Sequence, residues 1–445
     1  MKYIQGGGIR MDAGKLYDVI GIGIGPSNLG LAALLDPLEE IDGLFFEQNT
    51  SFEWHPGMLI DKSVLNSSFL SDLVTFADPT NPYSFLNYLH KHNRMYQFFF
   101  YQKFNIPRKE YNSYAKWVAS QLGDCKFGRQ VTNVEDGTGD WYDVTVFNIE
   151  TGENHSYRAR HVVIGTGSTP MIPEDIKDEM NEDICHTSSY LYNEKNIKRG
   201  SHVSVIGSGQ SAAEVFYDLL QDQKHYGYKL SWLTRSPQFF QTEDAKVGRE
   251  IFSPDFVDYF QSLSFDSRTS ALPYLDQARK QIEPGVLENI YNELYHRSIE
   301  RKDPDVLLQP MTELRGIRSL SGGNYELTMH QWQKNMSYSH ITSKVIVATG
   351  YKPNVPKWLK KYKDKIYWED ENTMVVGKDY EFLFKKERPN HLFTLTNLDQ
   401  SHGTGATNLA LSVYRNQRII NKIAGYERYA IQEDTIFQQF MPDEK

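Results

Sequence analysis

Two glycine-rich segments of this chain have the residue types and spacing needed to bind a pyrophosphate. In the first, VIGIGIGPSN, the residues Gly23, Gly25 and Asn28 occupy the three positions of a dinucleotide fingerprint. The first glycine permits a tight turn from strand to helix, and the second lets a pyrophosphate approach backbone N–H groups at the helix N-terminus. Asn28 stands where a third glycine is usual, but Glu47 ends the next apolar strand, where a carboxylate can bind a ribose. We predict a dinucleotide site here; the alternative is an ordinary glycine-rich turn.

The second segment, VIGSGQSAAE, repeats the pattern with Gly207, Gly209 and Ala212. The strand after its helix, LSWLT, is followed by Arg235 and has no carboxylate at its tip. A guanidinium pairs with the 2′-phosphate of NADPH, which a glutamate would repel. The pattern therefore favours NADPH over NADH; the alternative is that Arg235 is a surface salt-bridge residue.

Two dinucleotide units in one chain imply a flavin held by the N-terminal unit and a nicotinamide held by the second. Hydride would pass between them, and the protein would supply geometry and exclude water. The chain shows no Ser/His/Asp or paired-carboxylate signature. This agrees with redox chemistry carried by FAD and NADPH, since such chemistry needs no general base on the protein.

The elements around these units suggest that one domain is inserted in another. Two β-branched runs, 161–170 and 344–353, end in a Thr-Gly turn and bracket the second unit almost symmetrically. We predict an α/β fold with two Rossmann-like dinucleotide-binding domains and a small helical substrate region. The predicted bounds are a flexible tail over 1–16, an FAD-binding domain over 17–190 and 336–445, an NADPH-binding domain over 191–250 and 301–335, and a helical substrate-binding region over 251–300.

Length, charge and cysteine content exclude several classes of protein. A chain of 445 residues predicts two or three domains, and a net charge of -9 without a Lys/Arg block argues against nucleic acid as a partner. Cys125 and Cys185 lack the spacing of a disulfide framework or a zinc site, which favours the reducing cytoplasm and predicts no metal. The apolar run 19–35 is interrupted by Gly and Pro, so we expect no membrane span.

Six further segments go beyond a generic two-cofactor pattern. They are FEWHPGM (52–58), FLSDLVTFADPTNPYSFLNYL (69–89), GSGQSAAE (207–214), NIYNELYHR (289–297), VIVATGYKP (345–353) and QSHGTGATNLALSVYRNQRI (400–419). Together they resemble the microbial N-hydroxylating flavin monooxygenases of siderophore biosynthesis, a group that includes L-lysine and L-ornithine N-monooxygenases. The likeness covers the chain from Tyr17 to about residue 425.

The resemblance implies an NADPH-dependent flavin N-monooxygenase of hydroxamate siderophore biosynthesis. NADPH would reduce FAD, O2 would add to the reduced flavin as a C4a-hydroperoxide, and the distal oxygen would pass to a primary amine while NADP stays bound. The amine must react as the neutral nucleophile although a free alkylamine has a pKa near 10.4. Burial beside the two cofactors could supply the desolvation that this requires.

The resemblance and the two glycine-rich turns together predict the cofactor contacts. The predicted cofactor-binding residues are Gly23, Gly25, Pro26, Ser27, Asn28, Glu47, Gln48, Trp54, His55, Leu65, Asn66, Gly207, Gly209, Gln210, Ser211, Arg235, Thr349, Gly350, Tyr351, His402 and Gly403. Trp54, His55 and Asn66 are expected beside the flavin, and none of them is predicted to act as a catalytic acid or base. His55 could still assist a proton, or it could be purely structural.

One departure from the family pattern bears on the substrate. The amino-acid-specific members carry Lys at the position of Ser71, where it pairs with the substrate α-carboxylate. Serine has neither the charge nor the reach to compensate a buried carboxylate, and leaving one unpaired costs several kcal/mol. A second family position, normally Asn or Asp, is Arg249 here. We therefore predict a diamine, putrescine or cadaverine, with its distal ammonium near Glu243 and Asp244.

Other readings of the substrate and of the protein remain open at this point. Histamine also lacks a carboxylate, Arg249 could rescue carboxylate binding of L-lysine, and Asp72 is a further candidate for the ammonium. A more distant alternative is another class B flavin monooxygenase acting on a ketone or thioether. A flavin disulfide reductase would need a closely spaced pair of redox-active cysteines, which this chain lacks. A nucleotide-binding scaffold without enzymatic activity is the alternative outside enzymes. The resemblance implies a homo-oligomer, tetramer or dimer. The aromatic segment 81–120 could supply an apolar surface for it or could equally be core.

Overall fold

The computed structural model describes residues 10–241, 245–279, 282–300 and 305–441. The strands, in chain order, are β1 (Arg10–Ile22), β2 (Gly43–Phe46), β3 (Val64–Ser68), β4 (Asn105–Pro107), β5 (Cys125–Lys126), β6 (Arg129–Asp136), β7 (Tyr142–Asn148), β8 (Asn154–Ile164), β9 (Ser168–Pro170), β10 (Ile184–His186), β11 (His202–Ile206), β12 (Lys229–Leu233), β13 (Val306–Gln309), β14 (Thr312–Ser319), β15 (Tyr325–Gln331), β16 (Met336–Thr342), β17 (Lys344–Val347), β18 (Tyr351–Pro353) and β19 (Leu392–Thr394).

The α-helices are α1 (Pro26–Leu35), α2 (Phe85–Lys91), α3 (Met95–Tyr101), α4 (Arg108–Gln121), α5 (Tyr190–Ile197), α6 (Gln210–Tyr226), α7 (Pro254–Ser262), α8 (Phe265–Arg279), α9 (Pro284–Glu300), α10 (Asp399–His402) and α11 (Ser412–Ala424). Short 3-10 helices occupy Pro56–Met58, Glu174–Glu179, Thr187–Ser189, Val247–Phe252, Lys357–Tyr362 and Leu409–Leu411. Within the described ranges, no helix is both long and apolar enough to cross a lipid bilayer.

The first unit is built on a seven-stranded sheet in the order β5-β2-β1-β8-β7-β6, with β19 paired to β8. Strand β1 pairs in parallel with both β2 and β8, so its Val19–Ile22 end lies at the centre of the sheet. Such central parallel strands are buried on both faces, which is why this run is continuously apolar. Helices α1 and α11 pack on each other beside it.

The second unit has a parallel five-stranded sheet in the order β10-β17-β11-β12-β13. Helix α6 covers one face, where its apolar side packs on β11 and β12. The antiparallel sheet β14-β15-β16 covers the other, where Leu327 and Met329 join a core with Val345 and Val347. The chain first enters the second unit after β9 and finally leaves it through β18, and these two strands pair as an antiparallel ribbon. The predicted α/β class is confirmed.

Three predicted bounds differ from the structure. Strand β1 already begins at Arg10, which pairs with His155, so residues 10–16 are not the flexible tail that we expected; residues 1–9 of that tail lie outside the described part. Strands β10 and β17 belong to the second sheet rather than to the predicted FAD-binding domain. The KVIV segment (β17) was assigned to the wrong domain because the Thr-Gly turn after it resembles the turn after β8. Its strand is buried within the second sheet.

The region 251–300 does not form one helical body. Helix α9 packs on α6, and its Arg297 donates to the Leu220 carbonyl and the Gln223 side chain. Helices α7 and α8 instead pack against α10 of the first unit. Helical periodicity in the sequence located these helices correctly, but it carries no information about which neighbour each apolar face meets.

Candidate cofactor and substrate site

The first glycine-rich turn has the geometry that its sequence requires. Gly23 has a φ of +83°, and a Cβ there would lie 2.5 Å from the carbonyl oxygen of Gly165. Asn28 explains the missing third glycine, because its side-chain NH2 donates to the carbonyls of Ile22 (3.2 Å) and Gly23 (2.8 Å). The Asn28 amide therefore links α1 to the end of β1 by hydrogen bonds, whereas a glycine at this position would only allow the helix and the strand to pack closely.

Both helices that follow the glycine-rich turns begin with an open N-terminus. Gly25 is the N-cap of α1 and Gly209 is the N-cap of α6, and a Cβ built on either glycine meets no atom within 4 Å. Neither helix has a side-chain cap or an acidic residue in its first turn. The free N–H groups and the helix dipole thus face open space, an arrangement that fits a pyrophosphate. Pro26 begins α1, and Ser211 lies partly buried in the first turn of α6.

Glu47 holds the first turn. Its carboxylate accepts hydrogen bonds from the backbone N–H of Ile24 (3.0 Å) and of Asn49 (2.8 Å). Each oxygen keeps a further lone pair, so binding of a ribose is compatible with this support. Gln48, the next residue, is exposed.

The second turn is held by equally specific contacts. Gly207 has a φ of +146° and lies against Ala348, and its carbonyl accepts the indole N–H of Trp232 at 2.7 Å. Gln210 donates to Glu214 (2.9 Å) and accepts from the backbone N–H of residue 283 (2.8 Å), so its amide bridges α6 and the start of α9. Arg235 lies exposed just beyond the end of β12, and its side chain has no ion-pair partner among the described residues.

The WHPGM segment forms a tight turn where the two units meet. The backbone N–H of Trp54 donates to Asn112 at 2.8 Å. A Cβ on Gly57 would lie 1.9 Å from the carbonyl oxygen of Ser188, so only glycine permits the chain to pass so close to the second unit. His55 adopts the left-handed conformation, with a φ of 49°, and begins this turn.

The pKa of the His55 side chain is lowered, which favours the neutral imidazole. Its imidazole lies 5.0 Å from the Trp54 ring and 5.9 Å from the Tyr351 ring, between centroids. Although part of its surface is exposed, desolvation by the surrounding protein and, second, the nearby Arg108 guanidinium hold the pKa of His55 below its ordinary value. A neutral imidazole donates a hydrogen bond from one ring nitrogen and accepts one at the other. It does so without adding a charge beside a cofactor.

A buried ion pair ties this turn to α6. The Arg108 guanidinium makes two hydrogen bonds of 2.9 Å to the Glu214 carboxylate and a third, of 3.1 Å, to the Met58 carbonyl. Burial raises the pKa of Glu214, and Arg108 opposes that shift. Since Glu214 also accepts from Gln210, one continuous network runs from the second glycine-rich turn to the WHPGM turn.

Contacts within the protein also hold two further predicted cofactor-binding segments, Thr349–Tyr351 and His402–Gly403. The carbonyl of Gly350, a residue with a φ of +84°, accepts a hydrogen bond from His186, and the Thr349 hydroxyl donates to Met171. His402 is buried and stacks on Tyr380 with centroids 4.2 Å apart, and burial lowers its pKa to about 3.

The C-terminal turn is fitted closely to its neighbours. Gly403 has a φ of +86°, and a Cβ there would lie 3.3 Å from Phe260 of α7. Ser27 of α1 is held from α11, because its hydroxyl accepts from Arg415 and its carbonyl from Asn416, both at 2.9 Å. Arg415 is fully buried, and burial lowers its pKa to about 10.

Strand β3 carries the predicted flavin contacts Leu65 and Asn66, and Leu65 is buried. Ser71 follows in the next turn, where its buried hydroxyl accepts a hydrogen bond from Ser67 at 2.6 Å. The Ser71 side chain carries no charge, and its own O–H is still free to donate one hydrogen bond.

The other predicted substrate residues are placed unequally. Asp72 is buried and accepts from the Thr75 hydroxyl and from the backbone N–H groups of Val74, Thr75 and Phe85, so it holds the loop rather than a ligand. Arg249 is exposed in the 3-10 helix Val247–Phe252. Glu243 and Asp244 lie outside the described residues.

The C-terminal segment joins the substrate elements. Phe252 lies 2.9 Å from where a Cβ on Gly405 would be, and the 3-10 helix Leu409–Leu411 contacts β3. The loop of Arg249 and the strand before Ser71 are therefore brought to one region through residues 403–411.

Sequence reasoning missed three charged residues that hold the site: Arg108, Glu214 and Arg415. Two of them stood inside quoted segments, GSGQSAAE and the C-terminal motif, but a charged residue in a helix is usually solvated. Only the contact with a distant element shows that it is buried.

Comparison with known proteins places this geometry in context. A model of the L-lysine 6-monooxygenase/L-ornithine 5-monooxygenase family matches residues 15–353. Putrescine N-hydroxylase from Shewanella oneidensis is 37% identical over 428 residues, covering 96% of this chain and 84% of that protein. The solved cadaverine monooxygenase of the desferrioxamine pathway from Erwinia amylovora, bound to FAD, has a TM-score of 0.92 and 35% identity, covering 97% of this chain and 100% of that one. The ornithine N-hydroxylase of Kutzneria sp. 744, solved with reduced FAD, NADP+ and L-ornithine, has a TM-score of 0.86 and 25% identity, covering 92% and 99%.

Proposed function

Because the chain belongs to the L-lysine 6-monooxygenase/L-ornithine 5-monooxygenase family, we propose that it N-hydroxylates one nitrogen of an aliphatic diamine, putrescine or cadaverine. The enzyme is a flavin-dependent N-monooxygenase that uses FAD, NADPH and O2. The hydroxylated diamine is a building block for a hydroxamate siderophore. The similar proteins that act on putrescine and cadaverine support this substrate class.

The observation that carries the diamine is the buried, uncharged Ser71. An α-amino acid brings a carboxylate that needs a cation or several donors once it leaves water. The Ser71 hydroxyl supplies no charge and at most one donated hydrogen bond, which does not compensate a buried carboxylate. A diamine makes no such demand at this position.

The two helix N-termini at the glycine-rich turns suit the two cofactors. The α1 N-terminus at Gly25 would hold the FAD pyrophosphate, and the α6 N-terminus at Gly209 that of NADPH. Arg235 would pair with the 2′-phosphate, as a guanidinium matches a dianion. When bound, the cofactors supply the hydride and the activation of O2, while this chain orients them and excludes water.

The amine must lose its proton before it can be hydroxylated. The pKa values of His55 and His402 are both held below the ordinary value, so neither side chain adds a positive charge that would compete for the site. Burial beside neutral side chains lowers the pKa of the reacting nitrogen, because desolvation disfavours its charged form.

We further propose a cytoplasmic setting and self-association. Cys125 and Cys185 are both free and buried, and burial raises the pKa of each thiol to about 12, which suits structural cysteines in a reducing compartment. The exposed aromatic side chains of α3, among them Tyr96, Phe99 and Phe100, offer an apolar surface for self-association.

The test is an amine panel scored for hydroxylamine product, with peroxide measured alongside to separate uncoupled NADPH oxidation. We expect putrescine or cadaverine to give the highest kcat/KM, and L-lysine, L-ornithine and histamine far lower values. Equal or better coupled turnover of L-lysine would refute the interpretation of Ser71 and point to Arg249 as the carboxylate partner. Product from a ketone or thioether would refute the amine-specific reaction.

A substitution at Ser71 tests the same argument from the protein side. Ser71→Lys is expected to raise the ratio of kcat/KM for L-lysine over cadaverine by at least tenfold, because it adds the missing cation. Ser71→Ala is the matched control and should leave that ratio within about threefold, since it removes the hydroxyl without adding charge. An unchanged ratio in Ser71→Lys, with FAD bound, would show that this position does not face the carboxylate.

A further inference from the structure

Arg415 is a buried cation without a carboxylate partner among the described residues. It lies near the start of α11 and is 1% exposed. Its Nη2 donates to the Ser27 hydroxyl at 2.9 Å, while Nε and Nη1 have no hydrogen-bond partner within the described part of the chain. Burial lowers the pKa of Arg415 to about 10, so the side chain still carries its charge near pH 7. A cation buried in this way costs free energy unless an anion compensates it.

The other basic side chains of α11 have the partners that Arg415 lacks. The Arg418 guanidinium pairs with Asp379 at 3.0 Å and with Asp258 at 3.7 Å. Lys422 also pairs with Asp379, at 3.5 Å. Counting only partners in the described ranges, Arg415 is the one basic residue of this helix without an ion pair.

The aromatic side chains beside Arg415 do not supply the missing charge. Tyr380 is fully buried, and its hydroxyl has no hydrogen-bond partner among the residues that the structure describes. Burial raises the pKa of Tyr380, so its phenol stays neutral. His402, which stacks on Tyr380, is neutral as well, because burial lowers its pKa to about 3.

Ser27 connects this cation to the open N-terminus of α1. Ser27 is the second residue of the helix and is partly exposed, whereas Arg415 behind it is buried. The N-cap Gly25 has no side chain to cap the helix, and the first turn holds no acidic residue. The Glu47 carboxylate bonds the N–H of Ile24, before the N-cap, and not the turn that contains Ser27. The guanidinium and the positive end of the helix dipole therefore act on the same turn, and both favour a dianion there.

We propose that Arg415 is the counter-charge of the FAD pyrophosphate and that it acts from behind the first turn of α1, through the Ser27 hydroxyl. Arg415 is then a positioning residue that need not touch the cofactor, because a buried charge is little screened by water and salt. Burying the guanidinium destabilises the FAD-free protein, and binding of the dianion relieves that cost. The proposal rests on the FAD site proposed above and does not depend on the amine.

The first experiment compares the stability of the FAD-free protein with its affinity for FAD. Arg415→Met keeps a similar length and removes the charge. We expect it to raise the urea midpoint of the FAD-free protein, since an apolar side chain suits a buried position better than an unpaired cation. It should also raise the dissociation constant of FAD at least tenfold, as measured by quenching of flavin fluorescence.

The matched control is Arg418→Met, one turn further along the same helix. This change removes a guanidinium that is ion-paired, so it leaves two carboxylates without their partner. It should lower the urea midpoint and leave the dissociation constant of FAD within about threefold of the parent value. The two variants thus differ in the sign of their effect on stability, which a purely structural role of Arg415 would not produce.

Two further variants test the path through Ser27. Ser27→Ala should raise the dissociation constant of FAD at least fivefold, and the double variant Ser27→Ala/Arg415→Met should lie within about twofold of Arg415→Met, since the two side chains act in series. Arg415→Lys keeps a cation and should restore the dissociation constant to within about fivefold of the parent value. If Arg415→Met does not fold, Ser27→Ala and Arg415→Lys decide the matter.

Two other ligands show which group is compensated. NADP+ also contains a pyrophosphate, and its affinity for the FAD-saturated protein should change by less than about twofold in Arg415→Met. Riboflavin has the flavin ring without the pyrophosphate, and its dissociation constant should change by less than about threefold. A loss for either ligand as large as that for FAD would overturn the proposal.

The proposal is also overturned if Arg415→Met lowers the urea midpoint as Arg418→Met does, or if FAD affinity is unchanged in Arg415→Met or in Ser27→Ala. Gly25→Ala separates this failure from that of the FAD site itself. Unchanged FAD affinity in Gly25→Ala would refute the placement of the pyrophosphate at α1, whereas a loss there without a loss in Arg415→Met would refute only the counter-charge. The amine panel is run on the parent protein, so a failure of the proposed reaction is seen independently.

Discussion

The ion pair between Arg108 and Glu214 gives a quantitative test of how the two units are joined. The two side chains are 14% and 3% exposed and share two hydrogen bonds of 2.9 Å. Removing one member of such a buried pair costs about 3–5 kcal/mol, mainly because the other charge is left without its partner. We expect Glu214→Gln to lower the free energy of unfolding by about 3 kcal/mol, the lower end of that range, since glutamine keeps one acceptor for Arg108.

The neighbouring ion pair supplies a matched control. Lys109, the residue after Arg108, forms an ion pair with Asp61. Unlike the first pair, these side chains are 55% and 80% exposed. An exposed pair contributes about 0–1 kcal/mol. Asp61→Asn should therefore change the free energy of unfolding by less than about 1 kcal/mol, although it removes the same kind of charge.

The assay is urea unfolding of the FAD-saturated protein, combined with steady-state kinetics in NADPH. The double variant Arg108→Met/Glu214→Gln should be less destabilised than the sum of its single variants by about 2 kcal/mol, since removing both members leaves no orphan charge. Glu214→Gln should raise KM for NADPH more than it lowers kcat, because the network ends at Gln210 in the second glycine-rich turn. If Glu214→Gln were no worse than Asp61→Asn, or if the single changes simply added, the pair would not couple the units.

Three further predictions concern other parts of the chain. Gly25→Ala should weaken FAD binding at least tenfold in titrations while leaving apo-protein stability within about 1 kcal/mol, since its Cβ enters open space; Gly23→Ala should instead destabilise the apo-protein, because of its φ of +83° and the Gly165 carbonyl at 2.5 Å. Arg235→Ala should lower kcat/KM for NADPH about 10- to 100-fold and leave that for NADH unchanged, and Arg199→Ala is its exposed control. Burial lowers the pKa of His161 to about 3, so the unfolded chain takes up this proton from about pH 6.5 downward and the folded protein does not. Stability should then fall between pH 6.5 and pH 3, and His161→Asn should reduce that slope by about 1.4 kcal/mol per pH unit, as measured by urea unfolding at several pH values.

Local chemistry was readable from the sequence because it depends on neighbouring residues. The turns at Gly23 and Gly207 were predicted from spacing alone, and both glycines adopt the positive φ that the fingerprint requires. The family resemblance and the α/β class are confirmed by the matched family model and by the two sheets. The assignment of individual contacts to FAD, NADPH and the amine stays a prediction.

Contacts between residues far apart in the chain could not be predicted from the sequence. Arg108 and Glu214 are 106 positions apart, and the residues around each of them in the sequence do not indicate that it is buried. The same limit applies to β17, whose turn resembles that of β8 although its strand lies in the other sheet. Asn28 is intermediate: its departure from glycine was visible, but its two carbonyl acceptors appear only once strand and helix are folded together.

The ribbon formed by β9 and β18 has a consequence for how such a molecule can be altered. Entry to and exit from the second unit lie side by side, since Ser168 pairs with Pro353 and Pro170 with Tyr351. The intervening stretch of chain therefore begins and ends at adjacent positions, so it can be exchanged by two cuts that lie close together. Helices α7 and α8 within it pack on α10 of the first unit and would have to be retained. A grafted module with different nucleotide preference could be accepted there without rethreading the sheet that contains β1.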